Sequence, residues 1–504
     1  MNIFDLSYIQ RGGHIVSNVN IKKGSSDHIV THVNHELIPG TVTEISYYFF
    51  CPVALRTKIR FHDRQRVLDN LYITGRYSSP RFTLEDLYIL TNQENPLWKL
   101  ECFLQADNID STEFCDNLRL LANSVRYAFS KAVLDFRQLQ KEAILTGNNG
   151  PLMKFLLCFS KQTGQLEEKL MNMLDQCHGR TEVPEEIKKA SEWMYEAWVR
   201  EAGKSILKIT NKLSGMLRTD SERAIADRLA DLWMNQKTRI EKMRIELNLS
   251  DEQLLYRQHM LKKWYQSILY LKPIYSRLKD HIGQFLAGFA AAIAMGVAMT
   301  ANLWANSTFI AHSFQWVLVT VIAYAFKDRL KEWLRLGLNK MLPRMMSDSV
   351  FHFNNPSSHR RLCLNKIRVA MTDSTRISKS IMDERRKDAN PFIDVLPAED
   401  VLVIEHDIIT PKRYFQLLHR KTKIVNSMVS VISKFNMRDF FRDMDDLESF
   451  FFGDIVPGEN IDMEEHQKNY HVRLIVKVRN GADVKIDNYL ICLTKNKIES
   501  IEWL

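Results

Sequence analysis

Apolar residues are distributed unevenly along this chain, and the most apolar stretch, from Gly283 to Phe326, contains no Asp, Glu, Lys or Arg. It divides into two apolar segments, residues 282–304 and 308–326, of 23 and 19 residues. A helix needs about 20 residues to cross the hydrocarbon core of a bilayer. The sequence Ala-Asn-Ser between the segments leaves room only for a tight turn, so the helices are antiparallel neighbours. The pattern predicts a two-span transmembrane helical hairpin over residues 281–327. A buried hairpin in a soluble core is the alternative, because fully buried helices are also apolar on all sides.

The segment before the hairpin, residues 106–280, has the three-and-four spacing of long amphipathic helices. A helix starting at Asp110 is predicted to end at the Gly-Asn-Asn-Gly sequence of residues 147–150. Further helix starts are predicted at Pro184, and at Thr219 and Ser250, which are followed three residues later by Glu or Gln. We therefore expect an antiparallel helical bundle, whose last helix is broken or kinked at Pro273 before the hairpin.

The two ends of the chain have a different composition from the bundle. Residues 1–105 are rich in β-branched and aromatic residues and predict a β-rich domain. Residues 328–395 predict a basic amphipathic helix and a linker. Residues 396–504 predict a small C-terminal α+β domain with a strand at 400–408, a helical region over 414–441 and three antiparallel strands, two of them joined by a tight turn at Asn480 and Gly481. The expected fold class is an α+β membrane protein.

Positive charge is concentrated on both sides of the hairpin. Six basic residues and one acid lie between Arg257 and Asp280, and six basic residues and two acids lie between Lys327 and Arg344. Basic flanks stay on the cytoplasmic side, so both termini are predicted to be cytoplasmic, with the hairpin in a plasma or inner membrane. These residues account for much of the net charge of +9, so nucleic acid is not an expected partner. The seven dispersed cysteines are typical of reduced thiols.

Small residues recur every four positions in the first apolar segment, at Gly288, Ala292, Gly296 and Thr300. Such a stripe lets another helix approach closely, which predicts a helix-packing interface either with the second span or with another subunit. Asn302, His312 and Gln315 are candidates for polar contacts within the membrane. They can hydrogen-bond between the two helices or mark a conduction path.

The sequence between Asp439 and Glu465 is the one concentrated acidic tract of the chain, and it includes the candidate patch Asp443, Asp445, Asp446 and Glu448. Its spacing does not fit an EF-hand, because Leu447 and Glu448 stand where an oxygen ligand and a glycine are required. The tract is therefore interpreted as a solvated face or a dock for a basic segment, with a divalent-cation site as the alternative. No metal site or cofactor is predicted elsewhere, since along a strand His28 and His32 are about 13 Å apart and His35 faces the other way.

The sequence contains no established catalytic motif, such as HExxH or GxSxG, so an enzymatic function is not favoured. The leading hypothesis is a membrane-anchored, non-enzymatic binding or signalling protein with cytoplasmic domains on both sides of the hairpin. Its expected partners are the lipid bilayer, further copies of itself and a cytoplasmic protein. An oligomeric two-span channel or membrane-disrupting effector is the alternative. A membrane-tethered, metal-dependent hydrolase that uses the acidic patch is the third hypothesis.

Overall fold

The computed structural model describes residues 18–55, 64–89, 93–105, 110–213, 220–276, 278–310, 313–345, 347–387, 399–412, 428–442, 444, 449–452, 463–466 and 469–504. The described strands are β1 Asn18–Ser25, β2 His28–Glu36, β3 Val42–Pro52, β4 Leu71–Tyr77, β5 Tyr270–Tyr275, β6 Ser349–Asn354, β7 Arg361–Asp373, β8 Glu399–Ile409, β9 Met428–Asn436, β10 Ser449–Phe452, β11 Met463–His466, β12 Tyr470–Asn480, β13 Asp483–Leu493 and β14 Ile498–Trp503. The described α-helices are α1 Arg64–Asp69, α2 Leu84–Tyr88, α3 Pro96–Gln105, α4 Ser111–Thr146, α5 Gly150–Gly179, α6 Glu185–Leu213, α7 Asp220–Glu246, α8 Asp251–Gln266, α9 Leu278–Thr308, α10 Phe314–Met345, α11 Lys379–Arg386 and α12 Arg438–Phe441.

Twelve of the strands form a single antiparallel sheet in the order β1-β2-β9-β4-β5-β6-β7-β8-β3-β12-β13-β14. The sheet curls until its edge strands β1 and β14 meet. The hydroxyl of Tyr489 on β13, the neighbour of β14, donates to the carbonyl of Val19 on β1 at 3.4 Å. Beside this contact the backbone N–H of Ile498 donates to the carbonyl of Ser26 at 2.7 Å. Strands from the predicted segments 1–105, 328–395 and 396–504 therefore belong to one sheet. The sequence-based division had not anticipated this shared sheet.

Alternation of apolar and polar residues decides which side of each strand faces the interior. On β2, Ile29, Thr31, Val33 and His35 are buried while their neighbours are not. Because successive side chains of a strand point to opposite faces, this period of two places one face of the strand in the interior. The interior is filled by the buried residues of β2, β3, β4, β6–β9 and β12–β14, which form one continuous hydrophobic core.

The C-terminal region follows the sequence prediction in part. The strand predicted at 400–408 is confirmed as β8, and the last three strands are confirmed as β12–β14, with Gly481 at φ +63° in the predicted turn. The helix predicted over 414–441 is wrong for Met428–Asn436, which forms β9 between β2 and β4. Its buried residues Val429, Val431, Ser433 and Phe435 recur at every second position, which is the period of a strand.

The bundle is built from helices α2–α8, and its helix ends match the predicted ones where the structure describes them. Asp110 caps α4 by accepting from the backbone N–H of Thr112 and Glu113, and Gly147 ends that helix with φ +71°. The predicted capping box at Ser250 is present at the start of α8. Thr219 lies outside the described residues. The core of the bundle is separate from that of the sheet and includes the fully buried Trp198.

The bundle and the hairpin are two insertions into the sheet on either side of β5. Strand β5 pairs with β4 through Tyr270 and Leu271, and with β6 from Lys272 to Tyr275. The break or kink predicted within a helix at Pro273 is wrong, because this residue lies in a strand. Proline has no N–H to give to a ladder, and Pro273 stands two residues after Leu271, the last residue of β5 that pairs with β4.

A buried carboxylate ties two helices of the bundle together. Glu196 on α6 is 4% exposed and accepts hydrogen bonds from Arg200 on the same helix at 2.7 Å and from Arg257 on α8 at 2.9 Å. A buried carboxylate loses its hydration, so it is stable only when its lone pairs are satisfied in this way. This arrangement of Glu196 between Arg200 and Arg257, called here the Glu196 clamp, fixes the position of α8, which leads directly into β5.

Polar groups also lie inside the sheet. The hydroxyl of Tyr47 on β3 reaches across the interior to the hydroxyls of Thr31 on β2, at 3.2 Å, and Ser433 on β9, at 3.1 Å. His406 on β8 is fully buried, and its Nε2 lies 3.0 Å from Oδ1 of Asn365 on β7. His35 is also fully buried. Burial lowers the pKa of His35 to about 4, and burial together with the nearby His35 lowers that of His406 to about 3.

We expect the buried His35 and His406 to make the stability of the fold sensitive to acid. Their ordinary pKa is 6.5, so below this pH the unfolded chain binds protons that the folded chain does not take up until about pH 4 and about pH 3. The melting temperature should therefore be highest near neutral pH and fall as the pH drops from 6.5 to 4. His35→Leu should flatten this dependence, whereas His259→Leu, at an exposed position, should leave it unchanged. If the melting temperature of His35→Leu depended on pH in the same way as that of the wild type, the lowered pKa of His35 would not be the cause of the acid sensitivity.

The Glu196 clamp gives a second prediction. Glu196→Gln removes the negative charge from between two guanidinium groups, and the loss of one partner of a buried ion pair costs about 3–5 kcal/mol. Glu241→Gln is the matched control, since Glu241 on α7 forms an exposed pair with Lys237 at 3.8 Å that contributes under about 1 kcal/mol. Thermal melts of the purified protein measure both. Equal losses of stability would mean that the clamp does not hold the bundle.

Candidate membrane hairpin

Helices α9 and α10 form an antiparallel hairpin, and residues 309–313 of the sequence connect them. The sequence predicted the turn at residues 305–307, but in the structure α9 continues to Thr308 and α10 begins at Phe314. Nothing in the Ala-Asn-Ser sequence breaks a helix, whereas the hydroxyl of Ser313 accepts from the backbone N–H of Trp316 at 3.3 Å and so caps α10. The indole N–H of Trp316 donates to Oδ1 of Asn306 at 2.5 Å and joins the two helix ends.

The helix-helix contact of the hairpin is made by alanines. The buried positions on α9 are Ala290, Ala294, Ala298 and Ala305. They recur at intervals of four and seven, which places them on one face, and α10 is the element that packs on this helix. Small side chains let two helix backbones approach closely, so the alanine face forms the contact within the hairpin that the sequence analysis had considered for the stripe of small residues.

The predicted stripe lies on a different face of α9. Gly288, Ala292, Gly296 and Thr300 are all exposed. A Cβ atom added at Gly288 or Gly296 would have no neighbour within 4 Å. The stripe is therefore not the contact with the second helix of the same chain. Packing of this stripe against another subunit stays a prediction.

Large apolar side chains cover the outside of the hairpin. They include Phe285, Phe289, Met299, Leu303 and Trp304 on α9 and Phe314, Val321, Ile322 and Tyr324 on α10. By length and composition, α9 is the one helix in the described part of the chain that can cross a membrane. Only 17% of its most apolar window is buried, whereas the core helix of a soluble protein is mostly buried.

The second helix is apolar over a shorter length than predicted. Because α10 begins at Phe314, the part before Lys327 has 13 residues (314–326), or about 20 Å of helix. The same helix then continues without interruption through the basic sequence to Met345. The ammonium group of Lys327 lies 3.8 Å from the centre of the Tyr324 ring, so the change from apolar to basic occurs within one turn.

The candidate polar residues occupy different environments. Oδ1 of Asn302 on α9 is buried without a hydrogen-bond partner, and so is the hydroxyl of Thr320 on α10. Asn302 lies four residues before Asn306, and Thr320 lies four residues after Trp316. Since Asn306 and Trp316 are hydrogen-bonded to each other, Asn302 and Thr320 lie at the same level of the hairpin. Gln315 is exposed, and His312 lies outside the described residues. Thr320 was not among the polar residues predicted from the sequence, because a single threonine in an apolar helix does not by itself indicate a polar contact.

The acidic patch cannot be placed in the fold, because Asp443, Asp445, Asp446 and Glu448 lie outside the described residues. Among the residues that are described, no three His, Cys, Asp or Glu side chains are grouped so that they could hold a metal ion. His28 hydrogen-bonds with Asp27 at 2.6 Å, and His35 is buried within the sheet.

Comparison with known proteins adds no relative to these observations: no protein-family model matches the chain, and no significant match is found among the curated proteins or the solved structures.

Proposed function

We propose that this chain is a membrane-anchored, non-enzymatic binding or signalling protein whose hairpin α9–α10 inserts into a lipid bilayer. The observation that carries the proposal is the outer surface of the hairpin, where large apolar side chains of both helices face away from the protein. Soluble monomers rarely expose an apolar patch larger than a few hundred Å², because each Å² of apolar surface in water costs about 25 cal/mol. A bilayer removes this cost without any change in the fold.

The attachment of the hairpin to the sheet supports the predicted orientation. The chain enters the hairpin from β5 and returns to β6, and these strands pair from Lys272 to Tyr275. Both ends of the hairpin are therefore anchored side by side. The exposed Arg329, Lys331 and Arg335 lie on the part of α10 that follows its apolar part. Basic residues at such a position favour the cytoplasmic side, so the sheet and the bundle are assigned to the cytoplasm.

An oligomeric channel is the second candidate, and one observation favours it. Asn302 and Thr320 each bury a polar atom without a partner in an otherwise apolar hairpin. Buried polar groups are usually satisfied, so a neighbouring subunit or a file of water is the natural source of the missing hydrogen bonds. The exposed stripe from Gly288 to Thr300 offers a surface on which a second hairpin can pack closely.

Membrane insertion predicts a definite topology. A tag inserted at Ile310, which is 86% exposed in the turn, should be labelled by a membrane-impermeant reagent applied to intact cells. Reporters fused at Asn2 and Leu504 should both report the cytoplasm, because the basic residues beside the hairpin resist translocation. A terminus that is labelled from outside, or a protein that is recovered entirely in the soluble fraction, would contradict the proposal.

Substitution by leucine should have different effects on the buried alanine face of α9 and on its exposed stripe of small residues. Ala298→Leu places a larger side chain between α9 and α10 and should lower the melting temperature of the detergent-solubilised protein by several degrees, since Ala298 is only 6% exposed. Gly296→Leu should leave the melting temperature unchanged, because nothing lies within 4 Å of its added Cβ. If the stripe joins subunits, Gly296→Leu should also abolish cross-linked oligomers.

Both variants should still fractionate with membranes, because lipid tails are as apolar as leucine. Cross-linked oligomers that persist in Gly296→Leu would remove the stripe as a subunit interface. A loss of stability in Gly296→Leu equal to that in Ala298→Leu would contradict the placement of the two faces.

A further inference from the structure

The two helices of the hairpin change from apolar to charged at different levels. The hydrogen bond between Asn306 and Trp316 gives a common reference point on α9 and α10. Met295 lies eleven residues before Asn306 on α9. Lys327 lies eleven residues after Trp316 on α10. Both helices rise about 1.5 Å per residue, so Met295 and Lys327 lie at the same level of the hairpin.

The part of the hairpin between this level and the sheet is called here the proximal segment, and it comprises residues 283–295 of α9 and 327–338 of α10. Its α9 part contains no Asp, Glu, Lys or Arg. In its α10 part, six of the nine residues from Lys327 to Arg335 are charged. One helix is therefore still apolar where the other is already charged.

The two helices stay packed together along the proximal segment. Ala290 and Ala294 on α9 are 0% and 1% exposed, and α10 is the element that packs on this helix. On α10, Leu330, Leu334 and Leu338 are partly buried, while the residues between them are exposed. Side chains four residues apart share one face of a helix, so these leucines face α9. The apolar and the charged helix thus form one packed unit.

The outer surfaces of the two helices have opposite character in the proximal segment. On α9, the side chains of Phe285, Phe289 and Ile293 are 73%, 51% and 38% exposed. On α10, the exposed residues are mostly charged, and these are Asp328, Arg329, Lys331, Glu332 and Arg335. The proximal segment is therefore apolar on its α9 side and charged on its α10 side.

The charged side is basic overall, because four bases stand against two acids. The bases are Lys327, Arg329, Lys331 and Arg335, and the acids are Asp328 and Glu332. Lys327 lies 3.8 Å from Asp328. Among the residues that the structure describes, no ion pair is formed by Arg329, Lys331 or Arg335. These three exposed side chains are available to an anion from outside the chain.

We propose that the proximal segment is a binding surface for anionic lipids of the leaflet beside the sheet, with α9 against their acyl chains and Arg329, Lys331 and Arg335 on their headgroup phosphates. Guanidinium groups bind phosphate through paired hydrogen bonds, and lysine adds a point charge. Each Lys or Arg close to an anionic membrane surface strengthens binding by about fivefold, so three of them select anionic over zwitterionic lipids. This inference rests on the proposed insertion of the hairpin and names the lipid class that it prefers.

The length of the hairpin brings the proximal segment to the edge of the bilayer. The apolar part of α10 before Lys327 covers about 20 Å, whereas the hydrocarbon core of a bilayer is about 30 Å thick. A hairpin that crosses the core therefore draws part of the proximal segment into it. At this depth Phe289 and Ile293 contact acyl chains, while the long side chains of lysine and arginine extend to the headgroups. A bilayer thus covers both sides of the proximal segment.

Trp333 provides a reporter on the charged side, because it lies between Lys331 and Arg335 and is 61% exposed. The full-length protein is reconstituted into phosphatidylcholine vesicles that contain the same minor fraction of either brominated phosphatidylglycerol or brominated phosphatidylcholine. Bromine quenches tryptophan fluorescence on contact, and the difference between the wild type and Trp333→Phe isolates the signal of this residue. Quenching of Trp333 by the anionic lipid should be several-fold stronger than by the neutral lipid, and this ratio should fall in high salt.

A triple variant tests whether the three basic residues cause this preference. Arg329→Gln with Lys331→Gln and Arg335→Gln changes exposed side chains and should lower the ratio to about one, while quenching by the neutral lipid persists. The control, Lys189→Gln with Lys204→Gln and Lys212→Gln, removes the same charge from exposed positions on α6 and should keep the wild-type ratio.

A second measurement tests the two sides of the proximal segment. Phe289→Cys and Glu332→Cys are each labelled with a polarity-sensitive fluorophore, in a background in which the exposed Cys102 and Cys158 are replaced by serine. The label at position 289 should shift to the blue in vesicles and be quenched by brominated acyl chains. The label at position 332 should remain accessible to iodide in the surrounding water.

The outcomes separate this inference from the proposed function. Equal quenching of Trp333 by the two brominated lipids overturns the inference, and so does a preference for the anionic lipid that the triple variant retains. The same holds if the labels at positions 289 and 332 respond alike. If neither brominated lipid quenches any tryptophan of the hairpin, the hairpin does not insert, and the proposed function fails together with the inference.

Discussion

Pairing of the six-residue strand β5 with β4 and β6 is the constraint on which the other parts of the structure depend. The bundle is inserted before this strand and the hairpin after it. The backbone N–H of Tyr77 donates to Leu269 at 2.8 Å where the bundle returns, and that of Ser276 donates to Val350 at 2.9 Å where the hairpin leaves. Backbone hydrogen bonds are short and directional, so they hold both insertions at fixed points of the sheet.

The two insertions satisfy their polar and apolar groups in opposite ways. The bundle has its own buried core and places the Glu196 carboxylate between two arginines. The hairpin buries little beyond an alanine face and presents its large apolar side chains outward. The first arrangement is stable in water, whereas the second is stable where the surroundings are apolar. This contrast between parts of one chain supports the proposal that the hairpin inserts into a membrane.

Much of the local structure could be predicted from the sequence, because local signals decide it. Capping by Asp110 and Ser250 and the turn at Gly481 depend on residues within a few positions of each other. The apolar hairpin was predicted for the same reason, although its turn lies further along because the cap at Ser313 outweighs the Ala-Asn-Ser sequence. The helical prediction for β9 failed, because a short apolar run fits either period until neighbouring strands are known.

The sequence by itself determined where the long helices of the bundle begin and end, how far the apolar stretch extends and where positive charge surrounds it, since each follows from neighbouring residues. Only the tertiary structure decided that the strands of both chain ends share one sheet, because pairing such as that of β3 with β12 joins residues more than four hundred positions apart. It also decided which face of α9 meets α10.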